Sequence, residues 1–119
     1  MIRALIVTIG LASSVGTAWA YHVIEQPEDA YELSLGAVTL PANDRGTVIF
    51  TACPTCRTTT LRVSQLTQYF ANGDPIELSD LRDLADGLRA TASGRDSTSV
   101  YIYYDKASLR VNRLAMSYR

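Results

Sequence analysis

Histidine, cysteine and excess charge of either sign are scarce in this 119-residue chain, and each scarcity narrows the chemistry open to it. There is one histidine, His22, and only two cysteines, Cys53 and Cys56. Neither G-x-S-x-G nor H-E-x-x-H occurs, so the familiar nucleophile-and-base and zinc-hydrolase arrangements are missing. The carboxylates that stand close together are Glu28 with Asp29, in a polar arm, and Asp80 with Asp83, at a helix start where the positive dipole end accounts for them. The expectation is a non-enzymatic protein with no cofactor and no resident metal. Eleven basic residues face twelve acidic ones with no block of like charge. That excludes the strongly basic footprint of a nucleic-acid binder and any strong pull toward anionic lipid.

Long apolar runs are also lacking, except at the beginning. MIRALIVTIGLASSVGTAWA has one positive charge at Arg3, an apolar stretch from Ala4 to about Ala12, and small residues ending in Ala18-Trp19-Ala20. This is the order of a secretory signal peptide, and Ser13, Ser14, Gly16 and Thr17 interrupt the run that an uncleaved anchor needs. Residues 1–20 are therefore expected to be a signal peptide, 21–30 a polar N-terminal arm containing His22 and Pro27, and 31–119 a single small domain. The expected location is periplasmic or secreted, without stable membrane insertion after cleavage. His22 would then be second in the mature chain, where an amine and an imidazole together hold copper or nickel, but a lone solvated histidine is the plainer reading.

What the domain does contain is β pattern. YELSLGAVTL (31–40) changes the parity of its apolar residues at Gly36, which predicts a strand with a bulge there, and PANDRG (41–46) is a turn by composition. TVIFTA (47–52) and TTTLRVS (58–64) alternate as strands around CPTC, the loop of a hairpin. Asn72-Gly73, flanked by Tyr69-Phe70 and Ile76-Leu78, suits a type I′ turn, and Pro75 places its return strand at an edge. In SDLRDLADGLRA (79–90) Leu81, Leu84, Ala85 and Leu88 follow the helical period, with Ser79 as the cap. A polar loop over 91–99 and two last strands, 100–105 and 108–117, complete the chain. About six short strands and one short α-helix predict a mainly β fold, a small antiparallel β-barrel or curved sheet. No βαβ alternation announces parallel pairing.

From Gly46 to Met116 the order of strand, turn and strand, Thr67 before an aromatic hairpin, a Leu78-Ser79-Asp80-Leu81 helix start, then VYIYYD and a returning strand resembles the small OB-like barrels of uncharacterised exported bacterial envelope proteins. Polar residues 91–99 stand where such barrels usually have a glycine before the strand. The resemblance implies a fold and an exported location, not an activity.

Two features carry the functional expectation. Cys53 and Cys56 read first as a structural disulfide that fixes the register and shape of the hairpin loop in an oxidising compartment. The rivals are a thiol-disulfide redox site or sensor, helped by Arg57 but lacking the helix that activates a CxxC thiol, and one half of a zinc site completed by a second subunit. The other feature is tyrosine. Alternation puts Val100, Ile102 and Tyr104 on one face of a strand and Tyr101 and Tyr103 on the other. A Tyr101/Tyr103 ledge near Arg110 or Arg62 has flat apolar area and hydroxyls for a peptide or a glycan, although cross-strand aromatic pairs also simply stabilise sheets. The sequence thus points to a binding or accessory module of the envelope whose partner is a protein, peptide or glycan, and it leaves the oligomeric state open.

Overall fold

The computed structural model describes residues 28–119. The expected signal peptide, its cleavage site and the arm through residue 27, including His22, lie outside the described residues. The described chain is mainly β. Strand β1 (Glu28–Ser34) leads through a 3-10 turn, Leu35–Ala37, into the two-residue β2 (Val38–Thr39). Then come β3 (Thr47–Thr51), β4 (Thr58–Arg62), β5 (Gln68–Ala71) and β6 (Asp74–Pro75). Helix α1 (Leu78–Arg89) and the short α2 (Ala92–Ser97) precede β7 (Ser99–Asp105) and β8 (Arg110–Ser117).

The single strand expected over 31–40 is instead two strands with a helical turn between them. Three residues wound at 3-10 pitch switch the inward parity from Leu33 to Val38 and drop Leu35 into the core with no exposed surface. Glu28–Ala30, assigned to the arm, belong to β1, where they pair with Asp105, Tyr104 and Tyr103. Residues 91–99 are not a loop throughout. Thr91 accepts a hydrogen bond from the Gly94 amide at 2.9 Å and so caps α2, the usual task of a threonine at a helix start. Ser79 is no cap, since α1 begins at Leu78 with Glu77 before it. The Asn72-Gly73 turn is as expected, both residues having positive φ (49° and 88°). Beyond it the strand is Asp74–Pro75, extended by the Ile76 amide donating to the Tyr69 carbonyl at 3.0 Å, and helix α1 begins at Leu78.

The sheet has the order β1-β7-β8-β4-β3-β2, with β5 also on β8 and β6 on β5. Flat, five spacings of about 4.8 Å would hold its end strands roughly 24 Å apart. Yet β1 ends at Ser34 and β2 begins at Val38, and four consecutive Cα steps reach at most about 15 Å. The sheet must therefore curl until its two ends nearly meet. Ring contact across the interior shows the result: Tyr31 of β1 lies 4.8 Å from Phe50 of β3, centroid to centroid. Among the described residues no ladder joins β1 to β2, so the curved sheet forms and the closed barrel does not.

Pairing is also mixed where an antiparallel sheet was expected. β8 runs parallel to β4 at one bridge, Arg62 with Arg110, and parallel to β5 from Gln68–Arg113 to Ala71–Met116. β4 and β5 behave as one line of chain along β8, interrupted by the turn 63–67. Thr67 holds the interruption: its Oγ1 donates to the Val111 carbonyl at 2.6 Å and accepts from the Ser64 amide at 3.0 Å.

The concave side holds the core. Val48, Phe50, Leu61, Val100, Ile102, Leu114 and Met116 point into it, and α1 lays Leu81 and Ala85 over it. Two arginines of α1 fasten the helix to the chain after the 3-10 turn. Arg82 donates to the Pro41 carbonyl at 2.7 Å and Arg89 to the Val38 carbonyl at 2.6 Å. Hydrogen bonds from charged donors contribute about 1.5–3 kcal/mol each when shielded. Helix α1 thus serves the interior while α2 buries none of its residues, and the outward residues of β1, β7, β8 and β5 are half-buried or exposed.

Candidate functional site

Residues that alternate away from the core define the convex face. Register sets them in rows across the strands: Glu32, Tyr101, Ala115 and Phe70 in one, and Ala30, Tyr103, Arg113 and Gln68 in the next. Val100 and Ile102 are fully buried and Tyr104 packs on the core with Tyr31, so Tyr101 and Tyr103 point outward as the alternation predicts. Tyr101 and Phe70 stand on strands either side of β8, about 10 Å apart by strand spacing. Between them is Ala115, only a methyl group, so the two half-buried rings border a shallow apolar trough.

The two tyrosines are not equivalent. The Arg113 guanidinium carbon lies 4.2 Å from the centre of the Tyr103 ring, a cation–π contact that covers one ring face. Glu28 holds that guanidinium in place, accepting from Arg113 Nη2 at 3.0 Å and from Asn112 Nδ2 at 2.9 Å. Tyr103 is therefore half engaged, and Tyr101 is the freer ring.

The arginine beside the ledge is Arg113, not Arg110 or Arg62. A bulge between Tyr103 and Tyr104 leaves Asn112 without an opposite residue, so Arg110, three positions before Arg113, comes to the same face but at the far end, opposite Asp105. Arg62 lies beside Arg110 across β4 and β8. Strict alternation along β8 puts Arg110 and Arg113 on opposite faces; only the bulge brings them to one.

Cys53 and Cys56 are joined by a disulfide with their Cα atoms 5.0 Å apart. The Cys56 amide donates to the Cys53 carbonyl at 3.1 Å, closing a tight turn at the tip of the β3–β4 hairpin. Chain leaves the turn as strand β4, so among the described residues no helix begins at the Cys53–Cys56 turn. Cys56 is exposed and Cys53 partly so. Among the described residues no group of three or more histidines, cysteines and carboxylates is placed to hold a metal ion.

Two tyrosine hydroxyls hold their protons more tightly than usual. Burial, with a smaller contribution from the negative charge of Asp44, pushes Tyr69 up to about 12. Tyr104 is also raised to about 12, by desolvation first and then by the neighbouring Tyr31 and the charge of Asp29; the Tyr31 and Tyr104 rings stack 5.3 Å apart. Tyr69 is the more unusual, because its buried hydroxyl has no hydrogen-bond partner among the described residues.

Glu28 is committed to Arg113 and Asn112, and Asp29 Oδ1 accepts from the Ala30 amide at 2.8 Å. Asp80 lies in the first turn of α1. Comparison with protein-family models, with curated proteins and with solved structures finds no match of this chain to any of them.

Proposed function

We propose that the protein is an exported, non-enzymatic binding module of the bacterial cell envelope, and that its ligand surface is the convex face around Tyr101. The observation that carries this reading is the trough between Tyr101 and Phe70 over Ala115, on a face whose outward residues are half-buried or exposed. A flat ring, an apolar floor and the neighbouring Glu32 and Gln68 suit a segment of glycan or peptide laid across the strands. Arg113 and Tyr103 frame one side of the trough. Export rests on the leader sequence and agrees with a disulfide in a solvent-exposed loop.

Soluble peptidoglycan fragments carry both glycan and peptide and serve as the first probe. Amide chemical-shift mapping is expected to show perturbations centred on Tyr101, Ala115 and Phe70, and Tyr101→Ala is expected to abolish them while leaving the fold unchanged. Absence of perturbation, or perturbation confined to other faces, would remove this reading.

A second reading is favoured by the exposure of Cys56: a disulfide open to solvent exchanges with thiols more readily than a buried one. A redox protein would be recovered from its compartment with part of its Cys53–Cys56 population reduced. Intact-mass analysis after alkylation without reductant separates the two readings, since a permanent disulfide takes up no alkyl groups.

A further inference from the structure

The arginines that do not serve the tyrosine ledge have a place of their own. Arg45, Arg62 and Arg110 line one cavity of about 620 Å³ at the end of the sheet where β4 and β8 touch. Among the described residues none of the three makes an ion pair or a side-chain hydrogen bond, whereas Arg82, Arg89, Arg95 and Arg113 all have acceptors. Arg62 and Arg110 are direct cross-strand partners, an arrangement in which like charges destabilise a sheet. Asp105 is opposite Arg110, but its Oδ1 accepts from the Ala107 and Ser108 amides and belongs to the turn. Among the described residues Asp44 is the one acidic group in the same lining, which leaves an excess of two positive charges there.

Two further features face this region. Ser108 lines the cavity, and its buried Oγ has no partner among the described residues. Past Asp44 and Ser64 the space continues into a second cavity of about 390 Å³, bounded by Tyr69, Phe70 and Ile76, and Tyr69 has the other buried unpartnered hydroxyl. Arginine forks match the oxygen geometry of phosphate and carboxylate, and an excess of two charges matches a dianion better than a monoanion.

From this we infer a second binding site, independent of the tyrosine ledge: the Arg45/Arg62/Arg110 cavity takes a phosphate monoester dianion, whose organic part extends toward Tyr69. The Ser108 hydroxyl donates to the phosphoryl oxygens, and the ligand removes the Arg62–Arg110 repulsion. Such a group belongs either to a soluble phosphate ester or to a monoester lipid headgroup, and exposed Leu66 at the cavity wall is compatible with both.

Calorimetric titration of the purified protein with phenyl phosphate, with benzoate as the monoanion control, tests the soluble source; cosedimentation with phosphatidylcholine vesicles with and without phosphatidic acid tests the headgroup. Phenyl phosphate binding tighter than benzoate, or sedimentation that depends on phosphatidic acid, supports the site and says which source it serves. Arg62→Gln and Arg110→Gln are each expected to weaken binding about tenfold, the loss of one charge-assisted contact. Without the like-charge pair the unliganded variants should melt no lower than the parent in low salt. Chemical shifts of the unaltered protein provide a check that needs no variant: phenyl phosphate should move the arginine side-chain N–H signals of Arg45, Arg62 and Arg110 and the Ser108 amide. Failure of both phenyl phosphate and phosphatidic acid vesicles to bind, or equal binding by the Arg62→Gln/Arg110→Gln double variant, overturns the inference. Loss of peptidoglycan binding on Tyr101→Ala leaves this test unaffected, because Arg45, Arg62, Arg110 and Ser108 lie outside the ledge.

Discussion

Tyr69 and Tyr101 come from the same aromatic-rich composition and do opposite things. Tyr69 turns inward beside Ala71 and buries a hydroxyl that finds no acceptor. An unsatisfied buried hydroxyl costs about 1–3 kcal/mol, so Tyr69→Phe is expected to leave stability unchanged or raise it, measured by urea denaturation at pH 7. The same substitution should change the alkaline limb. Tyr69 holds its proton to about 12 in the folded protein against an ordinary value of 10.0, so the stability linked to the neutral form is complete below about 10 and is lost as pH rises from 10 toward 12. In Tyr69→Phe the decline of Tm across that window should be shallower than in the parent, leaving the part due to Tyr104. An unaltered slope would show that the Tyr69 hydroxyl ionises as freely folded as unfolded. Alternation in VYIYYD was enough to tell Tyr101 from Tyr104, because one strand's parity is a local property. It could not identify Arg113 as the arginine beside the ledge, since that depends on a bulge at Asn112 that no residue type announces.

At the scale of elements, the two glycines near the helices give contrasting tests. Gly87 is exposed within α1, and a Cβ there would meet nothing within 4 Å. Gly87→Ala should therefore stabilise the protein by about 0.5–1 kcal/mol through helix propensity alone. Gly94 is different: a Cβ there would fall 2.0 Å from the Leu88 carbonyl oxygen, which is backbone. Gly94→Ala should lower stability by about 1–3 kcal/mol as α2 is pushed off the end of α1, with the loss visible in a thermal melt. The apolar period of α1 and the Asn72-Gly73 turn were legible because each is encoded within a few residues. The capped turn of α2 was obscured by a composition of serine, glycine and threonine that reads equally as loop, although Thr91 is a sound cap. The parallel contacts of β8 were out of reach for another reason. They join residues 45 or more positions apart, and alternation reports which face a strand buries, not which neighbour it takes.

For the whole molecule, the disulfide and the curvature act on very different ranges. Cys53 and Cys56 close a loop of four residues, for which chain entropy gives about 2 kcal/mol. A Cys53→Ser/Cys56→Ser protein is thus expected to keep its far-ultraviolet circular dichroism and lose at most about 2 kcal/mol in denaturant; collapse of the fold would mean that the hairpin tip organises far more than its own turn. Curvature comes from the whole chain. Its direct sign is the three-residue link between β1 and β2, the outermost strands of the sheet path, and the sequence displayed that link only as a change of parity at Gly36. A mainly β class followed from strand density, while openness of the sheet was decided by a ladder between β1 and β2 that is not made among the described residues.

The single bridge between β4 and β8 has a mechanical consequence. On one side of it lie β4, β3 and β2; on the other lie β8, β7, β1, β5 and β6. Across it, the Arg62 amide reaches the Leu109 carbonyl at 3.3 Å, a long contact in a line of otherwise continuous ladders. The molecule is thereby two plates sharing a seam, and slow breathing should begin there, with the amides of Arg62 and Thr67 exchanging before those of Ile102 and Leu114 in native-state hydrogen exchange. A dianion seated on Arg62 and Arg110 would clamp the two plates together, and occupancy would be felt as stiffness well away from the phosphate itself.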